Sequence, residues 1–336
     1  MSELTNPHDR FFKESLSREE VALDFMKNYL PADVLALLNL DSLELAKDTF
    51  VDKYLMEYYS DLLYKLDLKD DTRAAYIYIL FEHKSYRETY IAFDLLRYMV
   101  RIWENVLKTK SEKKLPFIIP IVLYHGSRTW EIGRHLRGLF DAHEVFSPFI
   151  PDFRYILWDS SSYTDEEIKG EVMLRVSLLI MKHIFSKDLI AQLPNILRLL
   201  RELVKGRSGL EYIETVLKYV INTTSKSNVT FEDLHDVIRE ALPQAGGEIM
   251  PTIAEALIEQ GVQKGIQQGM EQGMLKKARE AVYEILEARF NVVTLSIIES
   301  INAIDNLLFL KVLHKKSATV DSIDQFKQVM KELMDE

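Results

Sequence analysis

The first half of the chain alternates short apolar runs with helical periods, whereas the second half carries helical periods throughout. Between residues 8 and 30, Phe11, Phe12, Leu16, Val21, Phe25, Met26 and Leu30 form an apolar stripe that predicts one or two short helices, stopped by Pro31. Ser17 to Glu20 resembles a capping box, and Asp9 is placed to cap the first helix. Contact with metal or DNA is the alternative role for His8 and Asp9. Residues 32 to 55 read as a mixed connector. Glu57 to Leu68 reads as a strand with Asp61, Leu63 and Lys65 on one face and Leu62, Tyr64 and Leu66 on the other. The polar segment Lys69 to Arg73 joins it to a second strand, Ala75 to Ser85, so the two predict an antiparallel pair.

Arg87 to Lys108 carries a strong helical period, and Arg97 and Arg101 share one face of it. Leu115 to Tyr124 is almost continuously apolar, which suggests a strand covered on both faces, with Pro116 and Pro120 pulling it toward an edge or a bulge. Trp130 to Phe140 reads as a short helix and Phe153 to Trp158 as a further strand. Strands and helices mixed in this way predict an α/β fold, a mixed sheet flanked by helices. From Thr164 onward the pattern is all-helical. Three regions follow: 1–163 as the core, 164–245 as a helical extension packing on it, and 246–336 as a helical C-terminal region.

That last region opens with the one obvious repeat, Gly261, Gly265, Gly269 and Gly273, each followed by an apolar residue (Val262, Ile266, Met270, Met274). Each glycine costs a helix roughly 1 kcal/mol relative to alanine. Four together call for a reason. A winding stripe of glycine lets a partner helix approach closely, which predicts self-association; a flexible repeat of little structural consequence is the alternative.

The strand at Ala75–Ser85 ends in Glu82-His83-Lys84, which puts a carboxylate and an ammonium on one face and His83 on the other. A salt-bridged strand end is the better explanation of such a pair when it stands alone. Asp61 on the preceding strand adds a second acid to the same shared face, with Asp52 and Glu57 close to it in sequence. An acid on one strand followed by E-x-K on the next is the pattern of the PD-(D/E)xK nucleases.

Further segments occur in a fixed order around this pair: His8 to Lys13, Tyr59 to Tyr64, Leu80 to Ser85, Leu95 to Met99, and Leu115 to Gly126. Together, over residues 5 to about 205, they resemble the Rpn family of recombination-promoting nucleases, also described as transposase-like proteins. The resemblance implies a PD-(D/E)xK fold and a Mg²⁺-dependent DNA endonuclease, with Mn²⁺ or Ca²⁺ as alternative ions and a role in recombination or mobile elements. Asp61 and Glu82 would hold the metal, and Lys84 would position or activate the attacking water. Asp9, Lys13, Arg97 and Tyr98 are candidates for substrate contact. Many relatives carry glutamine at the position of Lys84, and lysine is nearer the wider nuclease pattern.

Composition changes this picture in two ways. The chain has no cysteine, which excludes disulfides, thiolate metal sites and cysteine nucleophiles. Its net charge of −10 argues against tight, constitutive DNA binding, since affinity for nucleic acid rests on neutralising phosphates. The sequence contains no phosphate loop, no dinucleotide fingerprint and no H-E-x-x-H zinc motif. Without a signal-peptide core or a membrane-spanning run, the expected protein is soluble and cytoplasmic. The competing function is an inactive DNA- or protein-binding module of mobile-element origin. A transposase with a D-D-E triad fits less well, because no third acid stands at a convincing strand end.

Overall fold

The computed structural model describes residues 6–46, 62–69, 76–109, 114–141, 144–223, 230–291 and 293–335. The chain divides into two units, Met1–Leu257 and Ile258–Glu336.

The first unit is built on a five-stranded mixed sheet in the order β1 (Leu38–Leu45), β2 (Leu62–Leu68), β3 (Tyr76–Lys84), β4 (Phe117–Tyr124) and β5 (Ile156–Asp159). The first three strands are antiparallel, with Leu62 opposite Phe81 and Asp67 opposite Tyr76 in the β2–β3 ladder. β4 and β5 add in parallel, with Glu82 opposite Val122 and Lys84 opposite Tyr124. The expected antiparallel pair is therefore present, and its neighbour β4 lies inside the sheet. Pro116 precedes that strand. Pro120 lies within it and is buried opposite Leu80.

The helices preceding the sheet are α1 (Pro7–Leu16), α2 (Glu19–Tyr29) and α3 (Ala32–Leu37). A single long helix, α4 (Ile91–Thr109), makes the crossover that a parallel β3–β4 pair requires. Alternation along β2 splits the core between the two faces. Tyr64, Leu66 and Phe81 join Phe11, Phe12 and Phe25 of α1 and α2 in the larger cluster. Leu63, Val122 and Tyr124 pack with Ile91, Leu95 and Ile102 of α4 on the other face.

Helices α5 (Val172–His183), α6 (Leu189–Arg198), α7 (Arg207–Thr223) and α8 (Phe231–Ala241) extend the larger cluster. Thr164 and Glu167 bond reciprocally, as at a helix start: Thr164 N–H donates to Glu167 Oε2 at 2.8 Å, and Glu167 N–H donates to Thr164 Oγ1 at 3.4 Å. The helix nevertheless begins only at Val172, because Gly170 sits at φ +126°, outside helical space.

Two segments differ from the periodicity. The connector after Pro31 contains β1, whose Leu38, Leu40, Leu43 and Leu45 pack on the larger cluster. In Trp130–Phe140 only Leu136–Leu139 is helical, as a 3₁₀ turn, since Leu136 alone of that turn is buried.

Helix α9 (Gly246–Phe290) starts where a boundary was expected, and its first turns still contribute Ile249, Ile253 and Ala256 to the larger cluster. In the second unit its last turns pack with α10 (Leu295–Asn302), α11 (Leu307–Thr319) and α12 (Ile323–Asp335) around Val282, Leu286, Ile301, Leu313 and Phe326. No helix among the described residues is long and apolar enough to cross a membrane.

Candidate active site

The carboxyl end of β3 carries charge where its neighbours carry core. Glu82 is 3% exposed and its Oε1 lies 2.7 Å from Lys84 Nζ, so the two charges meet on the face turned toward α4. This is the contact that period-2 alternation predicts for E-x-K. The second oxygen, Glu82 Oε2, is buried and has no hydrogen-bond partner among the described residues. Such an oxygen is costly, on the order of 1–3 kcal/mol or more for a charged group, unless something else occupies its lone pairs. A hard, oxygen-seeking cation fits that vacancy in chemistry.

Asp61, the other expected ligand, lies outside the described residues, as do Asp52 and Glu57. Among the described residues no cluster of three metal-ligating groups occurs. One further acid belongs near the site. Asp94, in the first turn of α4, lies within electrostatic range of both Lys84 and Glu82. Burial, and then the repulsion of Glu88 and Glu82, raises its carboxyl above the ordinary range against the pull of Lys84 and Arg97. The amphipathic period of α4 places Asp94 one turn after Tyr90, a signal already present in the sequence.

The remaining expected substrate contacts separate. Arg97 is half-exposed and bonds Asp94 at 3.3 Å. Tyr98 is 5% exposed and packs with Leu95 and Ile102, so its ring belongs to the core. Lys13 is half-buried on α1, one turn after Asp9.

Asp9 does something other than cap. Asn6 caps α1, accepting from His8 N–H at 3.1 Å, with Pro7 at the first helical position. Asp9 is thereby freed to reach His83 Nδ1 at 2.8 Å, on the sheet face opposite Glu82. His83 Nε2 in turn lies 2.7 Å from Nε2 of His125, and His125 Nδ1 donates to the Met181 carbonyl at 2.9 Å. His125 thus ends β4 as a hydrogen-bonded strand-end histidine. Burial, and then the nearby His83 and His8, hold its ring far below the usual range and keep it neutral. A neutral His125 that donates from Nδ1 accepts at Nε2, so His83 supplies N–H groups in both directions, to His125 and to the Asp9 carboxylate.

His8 completes the cluster. Its Nδ1 is 2.7 Å from the Tyr219 hydroxyl, and burial followed by repulsion from His83 lowers it to about 4. The two Nε2 atoms of His83 and His125 face each other at 2.7 Å, a geometry with no room for an ion between them.

Residues 6–211 match the family described as "Putative transposase, YhgA-like". Recombination-promoting nuclease RpnD of Escherichia coli O157:H7 is 30% identical over 258 residues, covering 75% of this chain and 94% of the relative. The chain belongs to this Rpn family of recombination-promoting nucleases. RpnA of Escherichia coli K12 is 31% identical over 267 residues, covering 76% of the chain and 85% of RpnA. RpnE of the same strain, named as an inactive recombination-promoting nuclease-like protein, is 30% identical over 261 residues, with 77% and 84% covered. No solved structure matches. The Rpn match spans the whole sheet, the histidine cluster and α1 to α6, and ends within α7.

Proposed function

We propose that the chain is a Mg²⁺-dependent DNA endonuclease, with Mn²⁺ or Ca²⁺ as ions that could occupy the same site. The observation that carries this reading is the buried, unpartnered Oε2 of Glu82 beside Lys84 Nζ. Glu82 and Asp61 would hold the ion. Asp61 is the covalent neighbour of Leu62 and Glu82 that of Phe81, and Leu62 and Phe81 are partners in the ladder. A bound divalent ion supplies charge neutralisation at the scissile phosphate and acidifies a bound water.

The protein's own groups do the rest. Lys84, held by Glu82 Oε1, presents an ammonium that orients the attacking water and balances the charge growing on phosphate. Arg97 supplies a phosphate contact from α4, and Asp9 sets His83 between the two site residues. Recombination is the setting that the relatives' names support, and a mobile element the one that the family description supports.

Incubation of supercoiled plasmid with purified protein, in Mg²⁺ and in EDTA, tests the proposal. Nicking in Mg²⁺ alone is the expected outcome. Intact plasmid under both conditions would instead favour an inactive binding module, the state that the name of RpnE records for that relative.

We also propose that the second unit self-associates through its glycine repeat. A Cβ built on Gly261, Gly265, Gly269 or Gly273 meets nothing within 4 Å, so no close approach inside the chain requires glycine there. Ile258, Val262, Ile266, Met270 and Met274 beside them are all exposed.

A further inference from the structure

Eight consecutive residues just past the E-x-K pair carry three large exposed rings: Tyr86 at 57%, Tyr90 at 62% and Phe93 at 50%. A single exposed ring needs no explanation, but a group of them beside a site does. Their placement follows from the fold. Tyr90 starts α4, its carbonyl accepting from Phe93 and Asp94 N–H at 2.9 and 3.0 Å. Ile91, Ala92 and Leu95 take the buried side of that turn, which turns Tyr90 and Phe93 outward, three residues apart on one face. Tyr86 is joined to the site directly, since Lys84 Nζ stands 5.9 Å from the centre of its ring.

Cations flank the rings. Lys84 lies at one end, and Arg97, one turn beyond Phe93 and bonded to Asp94, is followed at the other by Arg101, bonded to Glu104 with its side chain 60% exposed. Rings bordered by cations make a surface on which unpaired bases stack while phosphates find charge. A fully paired duplex keeps its base faces covered and has little use for a ring. A protein partner would meet the apolar rings, but the flanking cations and the continuity with Glu82 and Lys84 favour a phosphate-bearing one. The net charge of −10 points the same way, because stacking does not depend on the phosphate attraction that an acidic chain lacks.

We infer that the preferred substrate is DNA carrying unpaired nucleotides beside the cut, such as a bubble, gap or flap, read by the rings of Tyr86, Tyr90 and Phe93. This deepens the nuclease reading and rests on it for the word substrate. The test uses the full chain with Ca²⁺ and two probes: a paired duplex containing 2-aminopurine, and the same duplex with that base inside a central bubble. Wild type is expected to bind the bubble about tenfold more tightly and to quench its fluorescence. Tyr90→Leu with Phe93→Leu keeps apolar bulk, removes the rings, and should bring the ratio near one.

Equal binding of both probes by wild type overturns the inference and leaves the rim to a protein partner. A preference that survives in the double variant overturns it as well. Plasmid nicking separates the two ideas. A wild type that nicks plasmid without preferring the bubble loses only this inference, while ring-dependent bubble binding without cleavage loses only the nuclease reading.

Discussion

Asp9 Oδ1 lies 2.8 Å from Nδ1 of His83, which ties the first helix of the chain to the one residue standing between Glu82 and Lys84. His83 is buried, with its other nitrogen facing His125, so Asp9 is the hydrogen-bond partner of its Nδ1. Asp9→Ala would leave that buried nitrogen without its partner. Leaving a buried polar group unsatisfied is costly, and we expect a loss of about 2 kcal/mol by chemical denaturation. Asp9→Asn keeps an acceptor and should lose less. An alanine variant as stable as wild type would remove the Asp9–His83 contact from the interactions that hold the first helix.

Glu82→Gln addresses the orphaned oxygen. Calorimetry should show Mg²⁺ affinity falling by at least about tenfold, and the rise in melting temperature that the ion gives wild type should shrink with it. Without metal, the variant should be as stable as wild type or more so, since an uncharged amide is less costly to bury than a carboxylate with a vacant oxygen. An unchanged metal response would remove Glu82 from the ligand set.

Lys84→Gln separates positioning from charge. Glutamine can orient a water but carries no charge and cannot take a proton. Nicking should slow by orders of magnitude while metal affinity stays within a few-fold. A collapse of metal affinity would instead make Lys84 a structural partner of Glu82.

The histidine cluster gives stability a pH dependence of known sign. His8 is lowered from 6.5 to about 4, so between those values the unfolded chain binds more protons than the folded one. Stability from this group is complete above about 6.5, declines as pH falls through the window, and is fully lost below about 4. His125, also lowered, contributes in the same direction. His8→Gln retains a partner for Tyr219 and should flatten the slope of melting temperature between pH 6.5 and 4. An equal slope in the variant would place the acid sensitivity elsewhere.

These residues also mark how far the sequence could be read. Glu82 and Lys84 were legible because strand alternation is local and has a fixed period. The ladder joining β2 to β3 was legible because both strands alternate around a polar turn. The Asp9–His83–His125 chain was not. It joins a helix start to two parallel strand ends, and nothing in sequence spacing sets which side chains meet across 74 and 42 residues. Only the competition at the helix start was local: Asn6 could have been weighed as the cap, which would have released Asp9. Tyr98 follows Arg97 directly in sequence, yet adjacent helix positions point 100° apart, and Tyr98 falls on the buried side.

The glycine repeat allows a prediction with a built-in sign. An antiparallel pair of α9 helices, with its two-fold axis midway between positions 267 and 268, sets Val262 against Gly273 and Ile266 against Gly269 of the second copy. The same register brings exposed Glu259 opposite exposed Lys276. Each apolar side chain then meets a glycine, the condition for two backbones to approach closely. Gly265→Leu with Gly269→Leu improves helix propensity by roughly 1.5 kcal/mol in all, yet fills the groove. If the helices pair, the double variant should dissociate in analytical ultracentrifugation at concentrations where wild type is dimeric. If they do not, it should sediment like wild type and melt higher. Charge exchange checks the register itself: Glu259→Lys should weaken the pair, and adding Lys276→Glu should restore it. A parallel arrangement would bring no such rescue, because position 259 would then meet its own copy.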